Sequence, residues 1–294
     1  YIVCFIFCLF NISVSQNLND RNKNYQPTRF KIFYTLSSVL KDYNRIDFRS
    51  TSVVQKTLYA FQHICHKNVM YKKSGKRRPF IVIEGTDRIL VSAVAKSLTS
   101  LMGATYLQNP PKCLRQLLGK YHHASPLRRT FYALGNYVIS EMAAKIYNRF
   151  PVIAPGYWLE QTAFAIVNNY KGRPLPPPGD SIYAWPKDLL LPDIIFLLTT
   201  EKNDETLRWN PSAKYDWRTR ISEVYGSTNE ARIERLDGLL GVHLLLEQIV
   251  AIVNETLRDV YYVSVKSPVK SFPLLYRQKV ASAMQNYVNV STLS

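Results

Sequence analysis

Along residues 80–265 the apolar positions follow two alternating patterns. Short continuous apolar runs are succeeded by longer stretches in which apolar residues return every three or four positions. Residues 80–84 have no polar face, as expected of a central parallel strand covered on both sides. Residues 91–102 put Val91, Val94, Ala95, Leu98 and Met102 on one helical face. A second strand is expected over 104–108, stopped by Asn109-Pro110-Pro111. A long helix follows over 127–147, with Ser125 at the N-cap and Pro126 at the first helical position. Further along, the pattern gives a strand at 151–154, a helix at 160–169, a Pro-rich loop at 171–179 and a strand at 193–198. An apolar helix at 236–257 and a fifth strand at 260–265 complete the series. Such alternation predicts an α/β fold, a parallel five-stranded sheet with helices on both faces. A ligand then belongs at the carboxyl ends of the strands.

The preceding part of the chain is different. Residues 1–15 are apolar and uncharged, and Ser13-Val14-Ser15 resembles a small-x-small cleavage site, so the segment reads as the apolar core of a signal peptide. It lacks a Met and a positive start, which leaves a mistranslated segment or a piece of a longer leader as alternatives. Residues 16–78 form a basic extension expected to be partly without fixed structure. Within it, Val53, Val54, Leu58, Phe61 and Ile64 outline an amphipathic helix over 51–70, and 71–79 is a basic linker. The main domain is expected over 79–265, followed by a tail at 266–294.

The net charge of +17 is unevenly placed: residues 16–79 carry 14 Lys/Arg against 3 Asp/Glu. A basic extension favours anionic surfaces weakly, and nothing in it has the aromatic spacing of a specific nucleic-acid motif. Of the four cysteines, Cys4 and Cys8 fall in the leader, so Cys65 and Cys113 allow one disulfide at most. No Cys/His spacing matches a zinc site, and His122-His123 reads as a surface turn. Asn254 and Asn289 begin triplets that fit N-glycosylation in a secreted chain. Beyond the leader no membrane-spanning helix is expected.

The chemistry-bearing signal lies where the first strand ends. Glu84-Gly85-Thr86-Asp87 leads toward a phosphate-binding loop of the form Gly-x-x-x-x-Gly-Lys-Ser/Thr. Gly85 and Ser92 are in place, seven residues apart, but the second Gly is Leu90 and the Lys is Val91. Backbone must approach phosphate closely at the Gly, and the Lys neutralises charge on the transferring group.

Four further runs follow in order: Asn109-Pro110-Pro111-Lys112-Cys113, Arg128-Arg129-Thr130-Phe131-Tyr132-Ala133-Leu134-Gly135-Asn136-Tyr137, Tyr157-Trp158, and Trp185-Pro186-Lys187-Asp188-Leu189-Leu190-Leu191-Pro192-Asp193. On these residues the chain, from about 79 to 265, resembles the thymidylate kinase-like nucleoside monophosphate kinases. Within them it is most similar to the mitochondrial-type UMP-CMP kinases. The resemblance implies a P-loop NTPase-like sheet, ATP and Mg²⁺ as cofactors, and a pyrimidine nucleoside monophosphate as acceptor. It implies a mitochondrial location, against the secretory one that residues 1–15 suggest. A protein partner or a homodimer is open.

The resemblance also assigns roles. Glu84, Gly85, Asp87 and Ser92 are the remnant of the phosphate loop, with Ser92 the candidate metal-linked hydroxyl. Arg128 or Arg129 would hold the monophosphate, with Phe131, Tyr132 and Tyr137 flanking the base. Asp87 and Tyr157 would meet the sugar. Arg208 and Arg218 are lid candidates. The aromatics equally fit the core side of an amphipathic helix. Where the family carries Asp-Arg, this chain has Pro155-Gly156. Charge-assisted contacts to a transferring phosphoryl contribute a few kcal/mol each. Two readings follow: a kinase with a rearranged loop and weak catalysis, or a nucleotide-binding or scaffolding pseudokinase that acts through partners.

Overall fold

The computed structural model of the protein describes residues 30–65, 77–123, 125–199 and 217–259, together with Tyr261 and Val263. The expectations placed on 1–29, on most of the 71–79 linker, on Arg208 and on 266–294 lie outside these residues.

The sheet has five parallel strands in the order β2-β3-β1-β4-β5: β1 Phe80–Gly85, β2 Thr105–Tyr106, β3 Val152–Pro155, β4 Ile194–Thr199 and β5 Ile233–Asp237. Strand β1 lies at the centre, where Val82 pairs with Ala154 on one side and Ile195 on the other. Its apolar run divides by the two-residue period of a strand. Ile81 and Ile83 face one core with helices α4 (Arg88–Met102) and α9 (Gly241–Thr256). Phe80 and Val82 face the other, with α6 (Pro126–Ile146) and α7 (Trp158–Asn169). Asp193 fixes the start of the central strands: its carboxylate accepts from the Phe80 N–H at 2.7 Å and from Arg77 at 2.7 and 2.8 Å. Helix α6 begins as expected, with the Ser125 hydroxyl accepting from the Leu127 N–H and Pro126 in the first turn.

The fifth strand is Ile233–Asp237, which corrects the expectation of a strand at 260–265. Ile-Glu-Arg-Leu-Asp carries charges at three of its five positions and buries only Leu236, as suits an edge strand that pairs, among the described strands, with β4. A search for continuous apolar runs passes over it. In the expected stretch, Tyr261 and Val263 are described and neither is in a strand. The Asn254 side chain donates to the Val263 carbonyl at 3.2 Å and accepts from its N–H at 2.7 Å. The amide that would carry a glycan is therefore already engaged. The segment Gly238–Thr256 is long and apolar enough to cross a membrane by length and composition; here Leu245, Leu246, Ile249, Val250 and Val253 are buried against the sheet side of the fold.

Residues 30–65, expected in part to lack fixed structure, form a further layer on α6. Helices α1 (Leu36–Tyr43), α2 (Ile46–Arg49) and α3 (Ser52–Ala60) lead into a π-helical turn, Phe61–Cys65. Val39, Tyr43, Val54 and Phe61 join the same core as Phe80, Val82 and Phe131. Thr35 caps α1 with a reciprocal pair of bonds to Ser38. Asp42 is 4% exposed, and its carboxylate accepts from Lys31 and from the Thr130 hydroxyl, each at 2.7 Å. A buried carboxylate needs such partners, and Thr130 on α6 supplies one across the layer boundary. Helix α5 (Lys112–Arg115) carries Cys113, which forms a disulfide with Cys65.

That bridge closes a loop spanning 48 residues. Its removal, by reductant or as Cys65→Ser, is expected to lower stability by about 2–4 kcal/mol. Urea denaturation with and without reductant reads the difference. Identical midpoints would mean that the bridge contributes nothing.

Candidate functional site

A cavity of about 610 Å³ opens at the carboxyl ends of the central strands, within the size range of small-molecule sites. Gly85 ending β1, Thr86 after it and Pro155 ending β3 form part of its base. Arg128, Arg129 and Tyr132 enter from α6, Glu160 and Phe164 from α7, and Trp217 and Tyr225 from α8 (Trp217–Gly226). Lys31, Ile32 and Phe33 enter from the N-terminal layer. Lys31, Arg88, Arg128 and Arg129 line this space, and Glu160 is the one acid among the described lining residues. The balance favours an anion. No cluster of three or more His, Cys, Asp or Glu side chains that would hold a metal occurs among the described residues.

The junction between β1 and α4 is short. The strand ends at Gly85 and the helix begins at Arg88. Asp87 is the N-cap, and its carboxylate accepts from the Ile89 N–H at 2.9 Å and the Leu90 N–H at 3.0 Å. These first-turn amides are the groups that a helix start offers to phosphate. Here a carboxylate of the chain accepts from them, and Asp87 is placed at the helix cap, outside the cavity wall. Leu90 and Val91 are buried in the core shared with α9, because a helix starting at Arg88 turns both toward the sheet. Ser92, the candidate metal-linked hydroxyl, lies in the helix and is absent from the cavity wall. Gly85 keeps a steric role: a Cβ there would meet the Leu198 carbonyl oxygen at 2.6 Å.

The second altered motif follows β3. Gly156 has φ +74°, and a Cβ on it would collide with the Glu160 carboxylate. An Arg at this position would therefore have to displace Glu160. That carboxylate pairs with Arg88 at 2.8 Å, so Arg88 is directed across to α7. Burial raises the Glu160 carboxyl above the usual range, and Arg88 opposes the rise.

On the acceptor side the two arginines are held differently. Arg128 donates to the Tyr121 carbonyl at 2.9 Å and lies 5.6 Å from the Tyr132 ring centroid. Arg129 lies 3.9 Å from the Phe30 ring centroid and 4.7 Å from that of Phe164. Tyr132 lines the cavity. Phe131, Tyr137 and Tyr157 are instead placed in the core. Phe131 packs on Tyr121 at 4.7 Å, the Tyr137 hydroxyl donates to Asp188 at 3.0 Å, and Tyr157 meets Phe80 edge-on at 5.3 Å. Phe131 and Tyr137 thus lie on buried faces of α6, and Tyr157 in the buried turn between β3 and α7. Arg218 is exposed in the first turn of α8 and does not reach the wall. The Asn109 side chain donates to the Tyr132 carbonyl at 2.9 Å and to Asn136 at 2.7 Å. Its oxygen lies where a Cβ of residue 135 would be, which accounts for Gly135 in the helix motif. Lys31, Phe33 and Glu160 are wall residues that the sequence reading passed over; the first two lie in a segment whose pattern carried no sign of docking.

Beneath the cavity, Glu84 is 1% exposed. It accepts from the Tyr157 N–H at 3.0 Å and from the Tyr225 hydroxyl. Burial pushes its carboxyl up to about 8; Glu160 adds to the rise, and the bonds from Tyr225 and Tyr157 oppose it. Glu84 thus keeps its proton to higher pH in the folded chain than in the unfolded chain, where it ionises above its ordinary value of 4.5. Between these two values the folded state binds the extra proton, so stability falls as pH rises, by at most about 1.4 kcal/mol per pH unit for this group. Urea unfolding of Glu84→Gln at pH 5, 7 and 8.5 is expected to lose that decline. Equal slopes in the two proteins would assign the pH dependence to other groups.

No protein-family model matches the chain. The chain is 36% identical over 132 residues to the human (Homo sapiens) protein UMP-CMP kinase 2, mitochondrial, a stretch that covers 44% of this chain and 29% of that relative's length. Among solved structures, thymidylate kinase from Candida albicans is similar at TM-score 0.45 and 13% identity, over 64% of this chain and 96% of that one. The likeness is to a nucleoside monophosphate kinase, and the chain matches less than a third of the length of that relative.

Proposed function

We propose that the protein binds a pyrimidine nucleoside monophosphate in the cavity at the strand ends and transfers phosphate from ATP weakly or not at all. The observation that carries this reading is the start of α4 at Arg88. Asp87 takes up the first-turn N–H groups, and Leu90 and Val91 lie in the core where a Gly and a Lys would serve ATP. ATP and Mg²⁺, the cofactors of the family, do not fit the residues present at this junction. A phosphate placed there would face the Asp87 carboxylate, with no lysine at position 91 to balance it. The acceptor side supports binding, because Arg128, Arg129 and Lys31 line a cavity of nucleotide size.

A second reading, a scaffold acting through a protein partner or a second copy, is favoured by one surface. Leu239, Leu240 and Leu244 are exposed together at the start of α9, at 59%, 38% and 47%. On location, the name of the human relative supports mitochondria. The Cys65–Cys113 bridge supports an oxidising compartment.

Calorimetric titration of the full chain with UMP, CMP and dTMP, and separately with ATP·Mg²⁺, tests the proposal. Binding of at least one monophosphate with no ATP uptake is expected. ATP binding comparable to that of a monophosphate would refute the loss of the donor site. Uptake of no nucleotide would favour the scaffold. Restoring the loop spacing by Leu90→Gly with Val91→Lys is expected to destabilise the fold by roughly 3 kcal/mol or more, because one change empties a core position and the other buries a charge. Thermal denaturation measures this loss, and an unchanged melting temperature would show that the junction rearranges freely.

A further inference from the structure

The Arg128 guanidinium is held at the cavity wall by main-chain oxygens. Its Nη1 donates to the Tyr121 carbonyl at 2.9 Å and, at a longer 3.4 Å, to that of Leu118. Nη2 lies 3.5 Å from the Tyr132 hydroxyl. Among the described residues no carboxylate pairs with Arg128, whereas Lys31 on the same wall faces Asp42 at 2.7 Å. Both carbonyls belong to the stretch between α5 and α6, and Leu118 itself lines the cavity. The Tyr121 side chain anchors this stretch. It is 3% exposed, its ring packs on Phe131 of α6 at 4.7 Å, and its hydroxyl meets that of Thr57 on α3, 64 positions away, at 2.7 Å. Thr57 has a single hydroxyl proton and gives it to the Val53 carbonyl at 2.8 Å. Tyr121 is therefore the donor between the two hydroxyls. The Cys65–Cys113 bridge ties the start of the same stretch to the N-terminal layer at a second point.

We infer that Tyr121, clamped to Thr57, is a positioning residue that sets the Arg128 guanidinium for the phosphate of the ligand. The N-terminal layer thereby acts on the anion site through a carbonyl it does not itself carry. The inference rests on the nucleoside monophosphate reading of the cavity. A carbonyl orients a guanidinium but does not neutralise it, so Arg128 keeps its charge for an anion. With Nη1 engaged, the edge formed by Nε and Nη2 is the one left for two parallel bonds to a phosphate. Fixing the fork beforehand also spares side-chain entropy that binding would otherwise cost. Without the hydroxyl bond, the Tyr121 ring keeps its packing on Phe131, but the stretch loses its polar tie to α3 and the carbonyl is free to shift. The loss then falls on the contact that Arg128 makes.

The test is calorimetric titration of UMP, CMP and dTMP into the full chain as wild type, Tyr121→Phe, Thr57→Val and Thr57→Ser, each also combined with Arg128→Gln, with the melting temperature of each recorded. Tyr121→Phe keeps the ring and leaves Thr57 bonded to Val53, so no buried group is orphaned; it carries the test even where Thr57→Val folds poorly. The best-bound monophosphate is expected to bind about fivefold more weakly to Tyr121→Phe and to Thr57→Val, the scale of ordering one long side chain on binding. Thr57→Ser, which retains the acceptor, should stay near wild type. Combined with Arg128→Gln, the same changes should cause no further loss. Wild-type affinity in Tyr121→Phe, an equal loss in Thr57→Ser and Thr57→Val, or the same loss with and without Arg128 would overturn the positioning role while leaving the nucleotide reading intact. A wild-type chain that takes up no monophosphate would overturn the nucleotide reading and the positioning role with it.

Discussion

The capping of α4 by Asp87 is the constraint on which the rest of the site depends. A helix start has unsatisfied N–H groups and a partial positive charge. When a carboxylate within the chain satisfies them two residues after β1, the helix begins early and its phase is set. That phase sends Leu90 and Val91 into the core beside α9 and leaves two residues, Thr86 and Asp87, between strand and helix. The same geometry brings Arg88 to the first exposed position, where it meets Glu160, and Glu160 in turn occupies the space beside Gly156. The two altered motifs, far apart in sequence, are thereby parts of one packing arrangement.

The opposite wall of the cavity is built on a different principle. Cations gather there from α6 and from the N-terminal layer, held by carbonyls, rings and Asp42. Burying Asp42 costs desolvation, and its bonds to Lys31 and Thr130 offset that cost while locking the layer onto α6. With the Cys65–Cys113 bridge, this layer is integral to the core. The cavity wall therefore depends on residues that precede the first strand.

Glu84 joins the two walls from below. Its strand position is central, so it is desolvated, and its partners Tyr157 and Tyr225 come from the turn after β3 and from α8. Burial favours the protonated carboxyl in this place, while the two donors, Tyr157 N–H and Tyr225 O–H, pull the other way.

The sequence alone determined the architecture of this protein, because strand and helix periods are local properties. The continuous apolar run of β1, the spacing within α4 and the Ser125-Pro126 start of α6 each follow from a few neighbouring residues. The same locality made Leu90 and Val91 visible as departures from a phosphate loop. Tertiary structure decided what the sequence pattern did not carry. An edge strand charged at three of its five positions, Ile233–Asp237, is recognisable only once β4 lies beside it. The aromatic residues of α6 divide between core and cavity according to which faces the neighbouring segments cover, so Tyr132 reaches the wall and Phe131 and Tyr137 do not. The bond from Tyr121 to Thr57 joins residues 64 positions apart. Contacts of that range are set by how the layers pack, and no local period of hydrophobic and polar residues encodes them.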